Sequence, residues 1–203
     1  MSQNTRKIYD QSADELSQYY DSIGARGGDI DLAFALADRP QNAIVLEIGC
    51  GNGRDAKAIL EHTPYYTGID TSSRMIAKAQ DRLPNGNFEE ADAITYAYPT
   101  LYDIVFAFAP LRHMDLDEVT TVLRKVYDSL RPGGILYISS NFSQKYEVTE
   151  RQHPHGVRKI YNYNPDIIQK HAPHGFKRVR EIYEKVNNEP WFEVALKKAY
   201  WPK

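Results

Sequence analysis

Val45-Leu46-Glu47-Ile48-Gly49-Cys50-Gly51-Asn52-Gly53-Arg54-Asp55-Ala56 is the stretch whose reading decides the fold. An apolar run from Ala43 to Ile48 reads as a strand, a loop follows with glycine at 49, 51 and 53, and a helix-like stretch comes next. Glycines there let the backbone turn sharply and approach a ligand with no Cβ in the way. The loop also offers its amides, and the positive end of the following helix, to whatever binds. A nucleotide-like cofactor at the carboxyl edge of a parallel sheet is the first expectation.

The flanks separate two classes of cofactor. A dinucleotide fingerprint wants glycine at position 54, where helix and strand close on a pyrophosphate. Here position 54 is Arg, Asp55 follows, and Glu47 stands two residues before the first glycine. A cation flanked by carboxylates suits a cofactor carrying an ammonium and a sulfonium. Downstream, the strand-like run Tyr65-Tyr66-Thr67-Gly68-Ile69 ends in Asp70, a carboxylate able to accept both hydroxyl hydrogens of a ribose. A further short strand, Asn87-Phe88-Glu89-Glu90-Ala91-Asp92, ends in a carboxylate placed to accept from an adenine amino group.

On these residues the chain resembles the class I S-adenosylmethionine-dependent methyltransferases, of the small single-domain kind that acts on small molecules. The matching pieces are VLEIGCGNGRDA at 45–56, TGIDTSSRMIAKA at 67–79, EEADA at 89–93, DIVFAFAPLRHM at 103–114 and LRPGGILYIS at 130–139. They follow one another in the family's order over roughly residues 43–140. The resemblance implies an α/β Rossmann-like doubly wound sheet of seven strands, mostly parallel with the last strand antiparallel, and helices on both faces. It implies S-adenosyl-L-methionine as cofactor, with S-adenosyl-L-homocysteine as product. The residues it brings to that cofactor are Glu47, Gly49, Gly51, Gly53, Arg54, Asp55, Asp70, Thr71, Met75, Asp92, Ala93 and Ala107.

The organisation expected is one domain over 1–203. A helical lid occupies 1–40, the cofactor-binding core 43–140, a substrate-side insertion and helix 141–175, and the final two strands 176–203. Residues 5–38 read as two helices, the second running from about Asp29 with Ile30, Phe34 and Leu36 on its apolar face. Relatives often carry an aromatic where this chain has Leu16, although Tyr19 and Tyr20 are close by. Between 43 and 140 strands and helices alternate, the pattern of a parallel sheet covered on both faces. Ser72 or Ser73 can cap one helix and Asp115 the next. Residues 141–160 read as polar and irregular, with a short helix after Pro165. Phe176–Val186 and Trp191–Ala199 read as strands joined around Asn187-Asn188-Glu189-Pro190.

Composition bounds the partners. A length of 203 residues supports one well-buried core. A formal net charge of -2 offers no broad footprint for nucleic acid. Cys50 is the sole cysteine, which excludes an internal disulfide and an iron–sulfur cluster held by several cysteines. No apolar run reaches membrane-span length and no signal-peptide core opens the chain, so a cytoplasmic setting is expected. His153, His155, His171 and His174 lack a completing ligand set, and no metal is expected.

The fourth-strand segment Phe106-Ala107-Phe108-Ala109-Pro110-Leu111-Arg112-His113 lies where a methyl group would emerge. It lacks the Asp/Asn-Pro-Pro-aromatic signature of enzymes that methylate bases. His113 could act as a general base or could shape the pocket floor through a hydrogen bond. Residues 151–180 hold Arg151, Arg158, Lys159, Lys170, Lys177, Arg178 and Arg180 against Asp166 alone. If this segment covers the site it favours an anionic acceptor such as a carboxylate; otherwise it is a solvated basic face. Arg158 and Tyr161, with His113, are the residues expected at the acceptor. Two other functions stay open on sequence alone: a non-catalytic S-adenosylmethionine-binding module and a nicotinamide-dependent oxidoreductase.

Overall fold

The computed structural model describes residues 3–200. Residues 1–2 of the expected lid, and 201–203 after the expected final strands, lie outside the described residues. The elements in chain order are α1 (Gln3–Gln11), α2 (Ala13–Ile23), α3 (Gly27–Leu36), β1 (Val45–Ile48), α4 (Ala56–His62), β2 (Tyr66–Asp70), α5 (Ser73–Arg82), β3 (Phe88–Glu90) and β4 (Tyr102–Phe108). A 3-10 turn over Pro110–His113 leads to α6 (Leu116–Ser129), β5 (Leu130–Asn141), β6 (Glu147–His153), β7 (Gly156–Asn162), α7 (Pro165–His171), β8 (Phe176–Val186) and β9 (Glu189–Lys198).

Seven strands form one sheet in the order β3-β2-β1-β4-β5-β9-β8. The first five pair in parallel, while β9 runs antiparallel to both of its neighbours. The order reverses between β1 and β4, so their carboxyl ends diverge there and leave the crevice that α/β sheets use for ligands. β1 and β4 are buried along their whole lengths, as central parallel strands must be when helices cover both faces. Two apolar layers result. One joins Leu46, Val105, Leu136 and Phe192 to Val119, Leu123 and Val126 of α6, and the other joins Val45, Ile104 and Tyr137 to Ile30 and Phe34 of α3 and Ile59 of α4.

Local chemistry sets the helix starts. Ser72 Oγ accepts from the Met75 amide, fixing Ser72 rather than Ser73 as the cap of α5. Asp115 accepts from the Asp117 and Glu118 amides, and Glu118 accepts in return from the Asp115 amide, completing a capping box on α6. Asn164 caps α7, with proline in its first turn.

Two expectations are corrected. The N-terminal region contains three helices, not two, because the chain breaks at Ser12 and again at Gly24, which has φ +72°. The 141–160 segment is not irregular: β6 and β7 form an antiparallel hairpin that turns through Gly156 at φ +139°. β6 is largely exposed and β7 fully buries only Ile160, so a regular apolar alternation is missing. β5 begins at Leu130, with a shift in register against β4 between Tyr102 and Ile104.

Candidate active site

The carboxyl ends of β1, β2 and β4 open into a cavity roofed by the N-terminal helices. Its lining takes Tyr9, Tyr19, Tyr20, Ile23 and Arg26 from the roof, the loop Gly49–Asn52 with Arg54 and Asp55, and Asp70, Thr71, Asp92 and Ala93 from the next two strand ends. Phe108 to Pro110, Arg112, His113 and Met114 close it beyond β4, and Trp191 closes it from β9. The space inside, open mouth included, is about 1170 Å³. Tyr9, Tyr19 and Tyr20 supply the aromatic roof that Leu16 does not.

The glycine loop is held at both ends. Gly49 and Cys50 donate backbone hydrogen bonds to the Ile69 carbonyl, and the Gly51 amide donates to Asp70 Oδ2 at 3.0 Å. Asp70 Oδ1 accepts from the Ser72 amide at 2.9 Å. Burial pushes the Asp70 carboxyl above its usual range, against the pull of these amide donors. At Gly49, with φ +73°, an added Cβ would fall 2.8 Å from Pro110 Cβ. At Gly51, with φ +54°, the nearest atom to an added Cβ is Tyr20 Cε2 at 3.9 Å, so there the missing side chain leaves room under the roof. Gly53 is a packing glycine, since its added Cβ would press on Ala79 at 3.1 Å.

Glu47 is 1% exposed, and its Oε2 accepts from the Tyr66 hydroxyl at 2.6 Å. Burial, reinforced by the neighbouring Asp55, pushes its carboxyl up to about 8. Arg54 is committed to Asp55 at 2.6 Å, and Asp55 also accepts the Arg26 amide at 2.8 Å. Among the described residues at this end of the cavity, Arg54 is thus neutralised by Asp55 and Glu47 is protonated. The loop also grips its roof, because Asn52 Nδ2 donates to Ser17 Oγ at 2.8 Å and to Asp21 at 3.0 Å.

The far end has the opposite character. The Tyr9 hydroxyl meets His113 Nε2 at 2.9 Å, and the two rings are edge-on with centroids 5.4 Å apart. Burial, with Arg112, Arg158 and Arg151 nearby, lowers the His113 pKa well below its usual value, so the imidazole is neutral. The Arg112 guanidinium lies 5.3 Å from the Trp191 ring, and Arg158 lies 5.4 Å from the Tyr9 ring. The Nε atoms of Arg112 and Arg158 and the indole Nε1 of Trp191 are buried without hydrogen-bond partners among the described residues. Arg26 is held by Asp29 and Glu193, and Arg151 pairs with Glu189.

Of the residues expected at the cofactor, Glu47, Gly49, Gly51, Arg54, Asp55, Asp70, Thr71, Asp92 and Ala93 line this cavity. Gly53, Met75 and Ala107 do not: Met75 is buried in α5, and Ala107 belongs to the apolar layer under α6. His113 lines the acceptor end. Arg158 stands behind Tyr9, and Tyr161 stacks on Tyr146 away from the cavity, with centroids 6.4 Å apart. Arg26, Arg112 and Trp191 escaped the sequence reading. Arg112 had a signal, a cation one residue before His113 just past an apolar strand, while Trp191 is brought in only by the insertion of β9.

Residues 45–134 match the family model described as a methyltransferase domain. Over those residues, and in its fold, the chain is similar to the class I S-adenosylmethionine-dependent methyltransferases. Among curated proteins, it is 35% identical over 103 residues to a trans-aconitate 2-methyltransferase of Rhodopseudomonas palustris (strain BisB18), covering 46% of this chain and 37% of that protein. It is 30% identical over 138 residues to the protein of that name from strain BisA53, covering 64% and 49%. The chain thus spans half or less of the length of these relatives. Similar solved structures include an S-adenosylmethionine-dependent methyltransferase from Clostridium acetobutylicum ATCC 824, with TM-score 0.68, 12% identity and 85% and 90% coverage. Another is the N-methyltransferase NodS from Bradyrhizobium japonicum WM9 in complex with S-adenosyl-L-homocysteine, with TM-score 0.66, 17% identity and 85% coverage of both chains. At these identities the likeness concerns the fold. No helix among the described residues is long and apolar enough to cross a membrane.

Proposed function

We propose that this protein transfers the methyl group of S-adenosylmethionine to a small anionic acceptor. The observation that carries the reading is one continuous cavity with two electrostatic ends. Asp70, a protonated Glu47 and the Asp55 paired with Arg54 line one end, and Arg112 lines the other with His113 and Arg158 beside it. The residues fit the cofactor. Asp70 is oriented by two backbone amides and can accept from ribose hydroxyls, Asp92 stands where an adenine amino group could donate, and the space at Gly51 admits a ligand close to the backbone. The carboxyl oxygens at the loop can accept from a ligand's ammonium.

When bound, that cofactor supplies an activated methyl group. The chain's own work is to hold donor and acceptor in line and to keep water out beneath the tyrosine roof. The printed name of the two curated relatives, trans-aconitate 2-methyltransferase, supports an acidic acceptor. Titration calorimetry with S-adenosylhomocysteine, followed by transfer from methyl-labelled cofactor to a panel of small acids, tests the reading. Binding with label transfer is the expected result. Binding without turnover on any acceptor would favour a non-catalytic module, and binding of a nicotinamide dinucleotide instead would overturn the assignment.

A further inference from the structure

The acceptor end of the cavity holds more information than its sign. Two orphaned buried nitrogens on its lining, Arg112 Nε and Trp191 Nε1, can only donate, and His113 Nδ1 beside them is also unpaired. A buried donor left unpaired is costly, so this end is completed by a ligand rich in acceptor oxygens. The carboxylates near it are already committed. Glu189 is held by Arg151 and by Asn141 at 3.2 Å, and Glu193 is held by Arg26 and by the Tyr137 hydroxyl at 2.8 Å. Neither is left to receive an ammonium or to take a proton from a hydroxyl. His113 sits among guanidiniums that oppose its protonation, and one of its nitrogens is engaged by Tyr9.

We propose that the atom methylated is a carboxylate oxygen of the acceptor, that Arg112 selects this group, and that the protein removes no proton in the step. The inference deepens the methyl-transfer reading above and rests on it. An amine acceptor would be protonated at neutral pH and would meet the guanidiniums as a like charge. An alcohol or phenol would bring a single oxygen and a further hydroxyl donor to buried donors that lack acceptors. A carboxylate is ionised already. Its oxygen gives an electron pair to the methyl carbon, the carbon–sulfur bond breaks with its electrons passing to sulfur, and an anion and a sulfonium become a neutral ester and a neutral thioether. No proton is left to place. The planar guanidinium of Arg112, backed by Trp191, matches a carboxylate through two parallel donors and leaves one oxygen lone pair facing the donor.

The test uses the full chain with methyl-labelled cofactor and a mixed panel of mono-, di- and tricarboxylates, their amides, primary amines and phenols. A methyl ester releases its label as volatile methanol in brief alkali, whereas an ether or a methylamine does not. Alkali-labile label on carboxylates is expected, and alkali-stable label on an amine or phenol overturns the inference. Label on nothing, with S-adenosylhomocysteine still binding, removes the proposed activity itself, a different failure. With the best carboxylate, Arg112→Gln should raise KM more than tenfold while the S-adenosylhomocysteine Kd stays within twofold, and Arg112→Lys should recover part of the loss. Unchanged KM in Arg112→Gln, or parallel loss of cofactor affinity and thermal stability, would make Arg112 a structural residue and overturn its role.

Discussion

Replacing Glu47 with glutamine should flatten the fall of stability that we expect as pH rises through neutrality. The folded protein holds the Glu47 proton up to about 8, against 4.5 for the exposed group. The folded state therefore binds more protons than the unfolded chain over that interval, and stability declines as pH climbs through it. At about 1.4 kcal/mol per unit, tapering as the group itself titrates near 8, the step from pH 6 to 8 is worth about 2 kcal/mol. A chain of this size should lose about 4–8 °C in Tm for that amount. The amide of the Glu47→Gln variant keeps an oxygen for the Tyr66 hydroxyl and has no proton to lose, so the variant's Tm should change by half as much or less between pH 6 and 8.5. Part of the slope will persist because burial, aided by Asp29, pushes Glu193 up to about 7 and acts in the same direction. Thermal melts followed by circular dichroism at matched ionic strength are sufficient. A wild-type Tm that is flat or rising over this range, or a Glu47→Gln protein with the wild-type slope, would refute the buried, protonated carboxyl.

Asp70→Ala should lose charge-assisted hydrogen bonds to the ribose, each worth about 1.5–3 kcal/mol, and weaken S-adenosylhomocysteine binding by well over tenfold in calorimetry; unchanged affinity would remove Asp70 from the site. Gly49→Ala and Gly51→Ala should differ. The first combines positive φ with a 2.8 Å clash on Pro110 and should lower Tm clearly, whereas the second meets only Tyr20 at 3.9 Å and should cost about 1–2 kcal/mol of backbone strain. Asp115→Ala removes the capping box of α6 and should cost about 1 kcal/mol, read as a Tm lower by about 2–4 °C with ligand binding unaltered.

How much of this was legible in the sequence depends on whether the determining contacts are local. The strand, glycine loop and helix at 45–62 are local, and both their existence and their exposure to a ligand could be read from residue spacing. So could Asp70 and Asp92, because a carboxylate that ends a strand of a parallel sheet emerges at its ligand-binding edge. Gly53 was less transparent: the same residue type that admits a ligand at Gly51 admits Ala79 here, and only the packing of α5 distinguishes them. The β6–β7 hairpin was illegible because β6 is mostly exposed, β7 is half-buried, and neither carries a regular apolar alternation. Tyr161 followed from its neighbourhood in sequence, yet the pleat of β7 turns it towards Tyr146. Trp191 could not have been read without knowing that β9 enters the sheet beside β5.

That insertion also orders events in the life of the chain. β5 is synthesised well before β9, and β9 takes the place between β5 and β8. Until residues 189–198 arrive, the long apolar strand Leu130–Asn141 has one flank of unpaired amides and carbonyls, an edge of the kind that captures other chains. Over this interval the glycine loop can already have its final neighbours, yet the wall bearing Trp191 and Glu193 does not exist. The nucleotide end of the cavity can thus form well before the end that would choose an acceptor, and a nascent chain stalled in between would have an adhesive flank and an unfinished pocket.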